Sequence, residues 1–280
     1  MNTTTLTTAD GLTLHLRHWP APSPRGTVLI VHGLGEHIGR YGHVAEHLNR
    51  LGWHVAGHDH RGHGQSEGAK GRLGDGDDLV RDLAAVIDSV RGQRPGPLVL
   101  LGHSLGGLVA ARFIAEGLAP SPAAWHRPVD ALVLSSPALD PGMNAVQKMM
   151  LAVAGPLAPD LAVGNGLRPE WISRDPAVVQ AYASDPLVHG RVTPRLVRFI
   201  VDGGRLVLQE APRWKVPTLL LYAGSDRCVA PRGSAAFAAA APGAVVTARE
   251  FPALFHEILN EPERHEVFAA LDAWLAQRQS

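Results

Sequence analysis

A serine that could serve as a nucleophile stands at position 104, inside Gly102-His103-Ser104-Leu105-Gly106. A serine hydroxyl is a poor nucleophile at neutral pH; it needs an adjacent base, and the base needs a third group to orient it. Two later residues fit those parts. Asp226 closes the apolar run "TLLLYAGSD", and His256 follows "AVVTAREFP" within "FPALFHEILNEP". Serine, acid, histidine is also the chain order expected when the nucleophile sits on a strand-to-helix turn. Asp140 is a rival acid, because it follows the next strand. Asp226 is preferred because "GSD" closes its strand directly. Of the 15 histidines, His265 is the nearest competitor of His256, but it falls inside the terminal helical pattern. Acyl transfer further needs two backbone N–H groups for the oxyanion. Leu105, directly after the nucleophile, supplies one, and "HGLGEH" is expected to supply the other at Leu34.

These residues need a frame that brings them together. "LVLLG" before Ser104 reads as a buried strand and "GGLVAARFIAEGL" after it as a helix. Glycine on both sides lets one run straight into the other without a Cβ in the way. "TVLIVHG" (Thr27 to Gly33) is a continuous apolar run suited to a strand covered on both faces, "ALVLSSPA" (Ala131 to Ala138) and "TLLLYAGSD" (Thr218 to Asp226) are further strands of buried type, and "WHVAGHD" (Trp53 to Asp59) reads as a strand. "LTLHLRHW" alternates and forms half of a hairpin about Asp10-Gly11. Helices are expected over Tyr41 to Leu51, over Leu79 to Val90 with Asp77 or Asp78 capping it, and over the closing "EPERHEVFAALDAWLAQR". Strands alternating with helices imply a parallel sheet covered on both sides. Between Leu139 and Trp214 that rhythm breaks in a Pro- and Gly-rich stretch that holds Met143, Met149 and Met150. It reads as a helical insertion over the strand ends.

Composition narrows the function classes. The 280 residues are 45% hydrophobic and 19% charged, with a formal net charge of zero and no block of like charge. Nothing in that favours nucleic acid or an anionic membrane surface. One cysteine, Cys228, leaves no intramolecular disulfide framework. The N-terminal segment lacks a signal-peptide pattern and no apolar run is long enough to span a membrane, so a soluble cytoplasmic protein is expected. "HDHRGH" places His58, His60 and His63 near the spacing of a zinc motif, but Gly62 stands where that motif needs an aspartate. A loop folded tightly by Gly62 and Gly64 is the competing explanation, and no metal or cofactor is expected.

Assembled in order, "VHGLGEHIGRY", "HDHRGHGQSEG", "GHSLGG", "GSDRCV" and "FHEILNEP" resemble the α/β-hydrolase superfamily, and within it the monoacylglycerol lipase and lysophospholipase group. The resemblance implies a mostly parallel twisted sheet flanked by helices, with a helical cap inserted after the sixth strand. The core would comprise residues 1–138 and 205–280, and the cap residues 139–204. It implies Ser104, Asp226 and His256 as the triad, and Leu34 and Leu105 as oxyanion donors. Glu36 and Arg40 would lie near the leaving alcohol, or else form an ion pair that staples their loop. Leu259 stands where animal members often carry a second histidine, a departure that bears on any glycerol recognition inferred from those members. Cys228 falls near the acid loop, where a small buried residue serves equally well.

The expected activity is hydrolysis of a monoacylglycerol or similar single-chain ester through an acyl-enzyme, without a cofactor. Alternatives are another esterase or lysophospholipase, a proline-type aminopeptidase using cap acids (Asp160, Glu170, Asp175, Asp185) to hold an amine, or a ligand-binding receptor on the same scaffold. Met149 and Met150 either line an acyl tunnel or pack the cap on the sheet. The apolar stretch around them is able to dip into a membrane interface transiently. Acyl length, head group and oligomeric state are left open.

Overall fold

The computed structural model describes residues 1–277. It opens with the hairpin β1 (Asn2–Thr7) and β2 (Thr13–Trp19), turned at Gly11, whose φ of 89° suits glycine. Then come β3 (Thr27–Val31), α1 (Gly42–Arg50), β4 (His54–His58), α2 (Asp78–Gln93), β5 (Leu98–His103), α3 (Leu105–Glu116) and β6 (Ala131–Ser135). The insertion follows β6: α4 (Ala145–Leu157), the two-residue strands β7 (Val163–Gly164) and β8 (Arg191–Val192) with α5 (Pro176–Ser184) between them, and α6 (Pro194–Glu210). The chain returns through β9 (Thr218–Ala223), α7 (Pro231–Ala240), β10 (Val246–Phe251) and α8 (Arg264–Ala276).

Eight strands form one sheet in the order β1-β2-β4-β3-β5-β6-β9-β10. It is parallel from β4 to β10, and the hairpin extends it antiparallel at one edge. Every residue of β3, β4, β5, β6 and β9 is buried, which explains the largely apolar reading of these segments, although β4 begins and ends on buried histidines. Alternate side chains still divide between two cores. Leu29 and Val31 join Leu83, Phe113 and Trp214 on one face; Val28 and Ile30 join Val44, Leu48 and Trp274 on the other. The chain passes from β3 outward to β4 and then back to β5 on the other side of β3. Such a reversal opens a crevice at the carboxyl ends of the strands, where ligands bind in open α/β sheets. The loop after β3 and the turn after β5 both end there.

Two details differ from expectation. Asp77 occupies the N-cap of α2 but makes no side-chain cap bond; Asp78 instead accepts the Gly74 and Asp75 N–H groups and tightens the preceding turn. A boundary between residues 204 and 205 would cut α6, one continuous helix. Its Gly203 lies against Leu108 and Arg112 of α3, and its Phe199 and Val207 enter the core under the sheet. Among the described residues no helix is long and apolar enough to cross a membrane.

Candidate active site

The turn after β5 is built for close approach. Ser104 has φ 53° and ψ −119°, a left-handed conformation that costs an ordinary residue about 1–3 kcal/mol and persists only where the surroundings enforce it. Three backbone bonds do so: Ser104 N–H donates to the Ser135 carbonyl (3.0 Å), and the Ser104 carbonyl accepts from Leu108 and Ala138 N–H (3.0 Å each). A Cβ on Gly106 would lie 2.0 Å from the Val31 carbonyl oxygen, and one on Gly102 would lie 2.5 Å from that of Gly106. The two glycines flanking the serine are therefore required by backbone contact.

Asp226 and His256 meet at the same strand ends. His256 Nδ1 lies 2.7 Å from Asp226 Oδ2, with side chains 6% and 1% exposed. The other carboxylate oxygen accepts Cys228 N–H at 2.8 Å and Val229 N–H at 3.0 Å. Burial alone would raise the Asp226 carboxyl; the charge on His256 and these hydrogen bonds outweigh it and hold the group below the usual carboxylate value. For His256 burial works downward, but attraction to Asp226, their hydrogen bond, Glu257 and Glu36 lift the ring above the usual histidine value. Ser104 and His256 line one chamber, although the Ser104 hydroxyl makes no hydrogen bond to the ring. In unliganded enzymes this contact is commonly long and tightens with substrate. The rivals lie elsewhere: Asp140 pairs with Arg232 at 2.7 Å, and His265 belongs to α8.

Leu34 and Leu105 flank the serine. Among the described residues neither N–H has a hydrogen-bond partner, so both are free to donate. The Leu34 loop is fixed from behind. Glu36 Oε1 accepts Gly33 N–H at 2.6 Å and the Tyr41 hydroxyl at 2.7 Å, and Glu36 Oε2 accepts Arg40 Nη1 at 2.7 Å. Arg40 then reaches Glu257 through two further bonds, of 2.6 and 2.7 Å. Burial would raise Glu36, but Arg40, His103 and the hydrogen bonds keep it below its ordinary value. Arg40 thus spends its donors on two carboxylates and joins the Leu34 loop to the His256 loop. Glu36 keeps a surface on the chamber; Arg40 is outside its lining.

Two cavities meet at Ser104. One, of about 430 Å³, is apolar and runs under the insertion past Met143, Met150, Leu151, Val197 and Ile200. The other, of about 290 Å³, is more polar and is bounded by Glu36, Tyr182, Asp185, His189 and Glu257. Leu34, Asn165, Leu167 and Cys228 line both. Met150 lines the apolar cavity. Met149, one step round α4, is not in that lining, although the two methionines are almost equally exposed, at 63% and 62%. Tyr182, His189 and Glu257 were not singled out in the sequence, and Met143 was noted only as part of the insertion. Only Glu257, next to His256, carried a local hint.

The rings of the "HDHRGH" histidines lie close, 5.0 Å between His58 and His60 and 5.9 Å between His60 and His63, but among the described residues they do not bring three ligand atoms together. His60 Nε2 donates to the His32 carbonyl and His63 Nδ1 to the Arg61 carbonyl (3.0 Å each), while burial pushes His58 and His63 down to about 4 and His60 well below its usual value. Among the described residues the single set of three ligand atoms close enough for a metal comes from Asp226, Cys228 and His256. Asp226 and His256 are already bonded to each other, and burial, Asp226 and Glu257 keep the Cys228 thiol protonated.

A serine in a strained turn, a carboxylate-oriented imidazole and free amides beside them define the class, a serine hydrolase of α/β-hydrolase fold. Residues 22–263 match the family described as serine aminopeptidase, S33, and the chain belongs to that family. It is 34% identical over 260 residues to a monoacylglycerol lipase of Mycolicibacterium smegmatis, covering 91% of this chain and 90% of that one. A phospholipase of Bacillus subtilis, YtpA, is 31% identical over 262 residues, covering 92% and 98%. The solved monoacylglycerol lipase of Paleococcus ferrophilus superposes with a TM-score of 0.82 at 36% identity, covering 95% and 99%.

Proposed function

We propose that this protein hydrolyses monoacylglycerols, with Ser104, His256 and Asp226 as its triad and Leu34 and Leu105 as oxyanion donors. The observation that carries the reading is the meeting of an apolar and a polar cavity at Ser104. One suits a single acyl chain, the other a small polar alcohol. Ser104 Oγ attacks the ester carbonyl and His256 Nε2 takes its proton. Asp226 holds the ring with its proton on Nδ1 and stabilises the imidazolium. The Leu34 and Leu105 amides bind the oxyanion, His256 protonates the departing glycerol oxygen, and water repeats the sequence on the acyl-enzyme. The relatives named monoacylglycerol lipase support the same assignment.

The family description names a peptidase, so the acids of the cap matter. Asp160 pairs with Arg195, Asp175 caps α5, and Asp185 pairs with His37 at 2.9 Å. Of the four, Asp185 alone lines the polar cavity, and its carboxylate is engaged. This favours an uncharged alcohol over a substrate amine. The exposed Val146, Met149, Met150, Val153 and Leu157 repeat at helical spacing along α4. They support a cap that rests on a lipid surface from which substrate is drawn. The test is a hydrolysis panel of monoacylglycerols of graded chain length, a triacylglycerol, a lysophospholipid and an aminoacyl anilide. Monoacylglycerol should be turned over fastest. Faster cleavage of the anilide or the lysophospholipid rejects the assignment, and turnover far below ~1 per second on every ester favours a receptor.

A further inference from the structure

We propose that His32 is a positioning residue for the oxyanion hole: its imidazole holds the one peptide unit that presents the Leu34 N–H. The proposal rests on the hydrolase reading above but not on the identity of the ester. His32 is fully buried, and its Nδ1 lies 2.8 Å from the carbonyl oxygen of Gly33. That carbonyl and the Leu34 N–H belong to the same planar trans unit and point in opposite directions. Gripping the carbonyl therefore aims the N–H. A Cβ on Gly33 would lie 3.1 Å from Ser104 Cβ, so this unit borders the nucleophile.

The tautomer is set by the second ring nitrogen. His60 N–H donates to His32 Nε2 at 3.0 Å, which leaves the proton on Nδ1, facing the carbonyl. The reverse tautomer would turn a lone pair on the Gly33 oxygen and a second N–H on that of His60. His60 closes the pair by donating from Nε2 to the His32 carbonyl, also at 3.0 Å. Burial, with His63, His58 and His37 nearby, keeps the His32 ring neutral. On its other side Gly33 is held through its own N–H by Glu36. The bond into the carbonyl also polarises the amide, so the Leu34 N–H becomes a better donor, by roughly 10–30% per bond in condensed-phase estimates. His32 and His60 thus have a task that needs neither a metal nor proton transfer.

The test compares His32→Leu, which loses the donor, with His32→Asn, whose amide nitrogen can occupy the Nδ1 position. Rates are taken on a p-nitrophenyl ester per active site titrated with a fluorophosphonate, so an error about the natural substrate does not affect the outcome. His32→Leu should lower kcat about 10- to 100-fold, less than the ~10²–10³ that loss of a whole oxyanion donor costs, and leave KM within twofold. The inhibition constant of an alkyl trifluoromethyl ketone, which binds as a tetrahedral oxyanion, should rise by the same factor. His32→Asn should recover most of both. Unchanged kcat per site in His32→Leu, or equal loss in the two variants, overturns the proposal. ¹⁵N NMR of the wild-type enzyme gives an answer even if His32→Leu does not fold: His32 should be protonated at Nδ1 alone at neutral pH, and a proton at Nε2 refutes the arrangement.

Discussion

Replacing Arg40 with alanine separates the two roles its sequence position allows. Arg40 makes three hydrogen bonds to Glu36 and Glu257, each of which is 5% exposed. Removing one partner of a buried ion pair costs about 3–5 kcal/mol, because the remaining charge is left uncompensated. At roughly 2–4 °C per kcal/mol for a large domain, the melting temperature of Arg40→Ala should fall by about 6–20 °C. The loss should depend on pH. In the wild type Glu36 is held below its unfolded value of 4.5, so its contribution is present above that pH and disappears on acidification through the folded value. In the variant burial, the largest influence on Glu36, is no longer offset by Arg40, and the folded value should rise above that of the unfolded chain. Its stabilisation is then complete at low pH and is lost as pH rises. The gap in melting temperature between the two proteins should be small near pH 5 and widest near pH 8. Scanning calorimetry at three pH values, with KM measured on a monoacylglycerol, decides the matter. A melting temperature within 2 °C of wild type at every pH, together with a tenfold higher KM, would show that Arg40 meets substrate and not the two carboxylates.

Ser104→Ala should lower kcat at least a thousandfold and abolish labelling by a fluorophosphonate while preserving the melting temperature; a retained thousandth or more of activity excludes Ser104 as nucleophile, since the rest of such a site supplies only ~10³–10⁴ over water. His256 must be neutral to accept a proton, and its value is raised, so kcat/KM should fall with acidification through a midpoint above 6.5; a midpoint below 6 contradicts the pairing with Asp226. Each methylene buried in the apolar cavity gains about 0.8 kcal/mol, so kcat/KM should climb up to roughly fourfold per carbon until the cavity is full. Met150→Trp should shorten the preferred chain and Met149→Trp should leave the profile unchanged; the same shift in both means that α4 is rotated from the orientation seen here.

The parts of the site written in the sequence are those whose requirements are local. A serine between two glycines marks a tight turn without knowledge of its neighbours, and Asp226 and His256 sit directly beyond strands that read as strands. Pairings across the sheet left no such mark. Arg40 and Glu257 are 217 positions apart and meet because the loops after β3 and β10 open at the same edge. His32 and His60 are 28 positions apart, brought together by β3 and β4 lying side by side, and in sequence His60 was read with His58 and His63. Met149 and Met150 look equivalent in a flexible apolar stretch; one residue of helical rotation separates them. The expected end of the insertion falls within α6, whose glycines allow close contact there: a Cβ on Gly204 would lie 2.3 Å from the Leu139 carbonyl oxygen.

How the insertion is fastened bears on which part of a substrate it selects strictly. Its second half is bonded to the loops that carry Leu34 and His256. Buried Glu261 accepts from Ser173 Oγ and from Arg174 N–H and Nε, and also from Phe255 N–H next to His256. Glu257 N–H donates to the Ile172 carbonyl at 2.7 Å, and His189 N–H to that of Gly35 at 2.8 Å. The polar cavity is therefore walled by groups tied to the loops that carry His256 and Leu34. Moving its walls means breaking hydrogen bonds close to the chemistry. The apolar cavity is bounded instead by α4, whose row of exposed apolar side chains runs from Val146 to Leu157 and whose methionines adapt to different shapes. Selection of the alcohol should on this basis be strict and selection of the acyl chain graded. Substitutions at Tyr182 or His189 should change the ranking of head groups with the chain-length profile intact, and substitutions at Met143 or Met150 should do the reverse. One panel of esters varied in both directions measures this; a Tyr182 variant that shifts chain-length preference as strongly as head-group preference would show that the two cavities work as one.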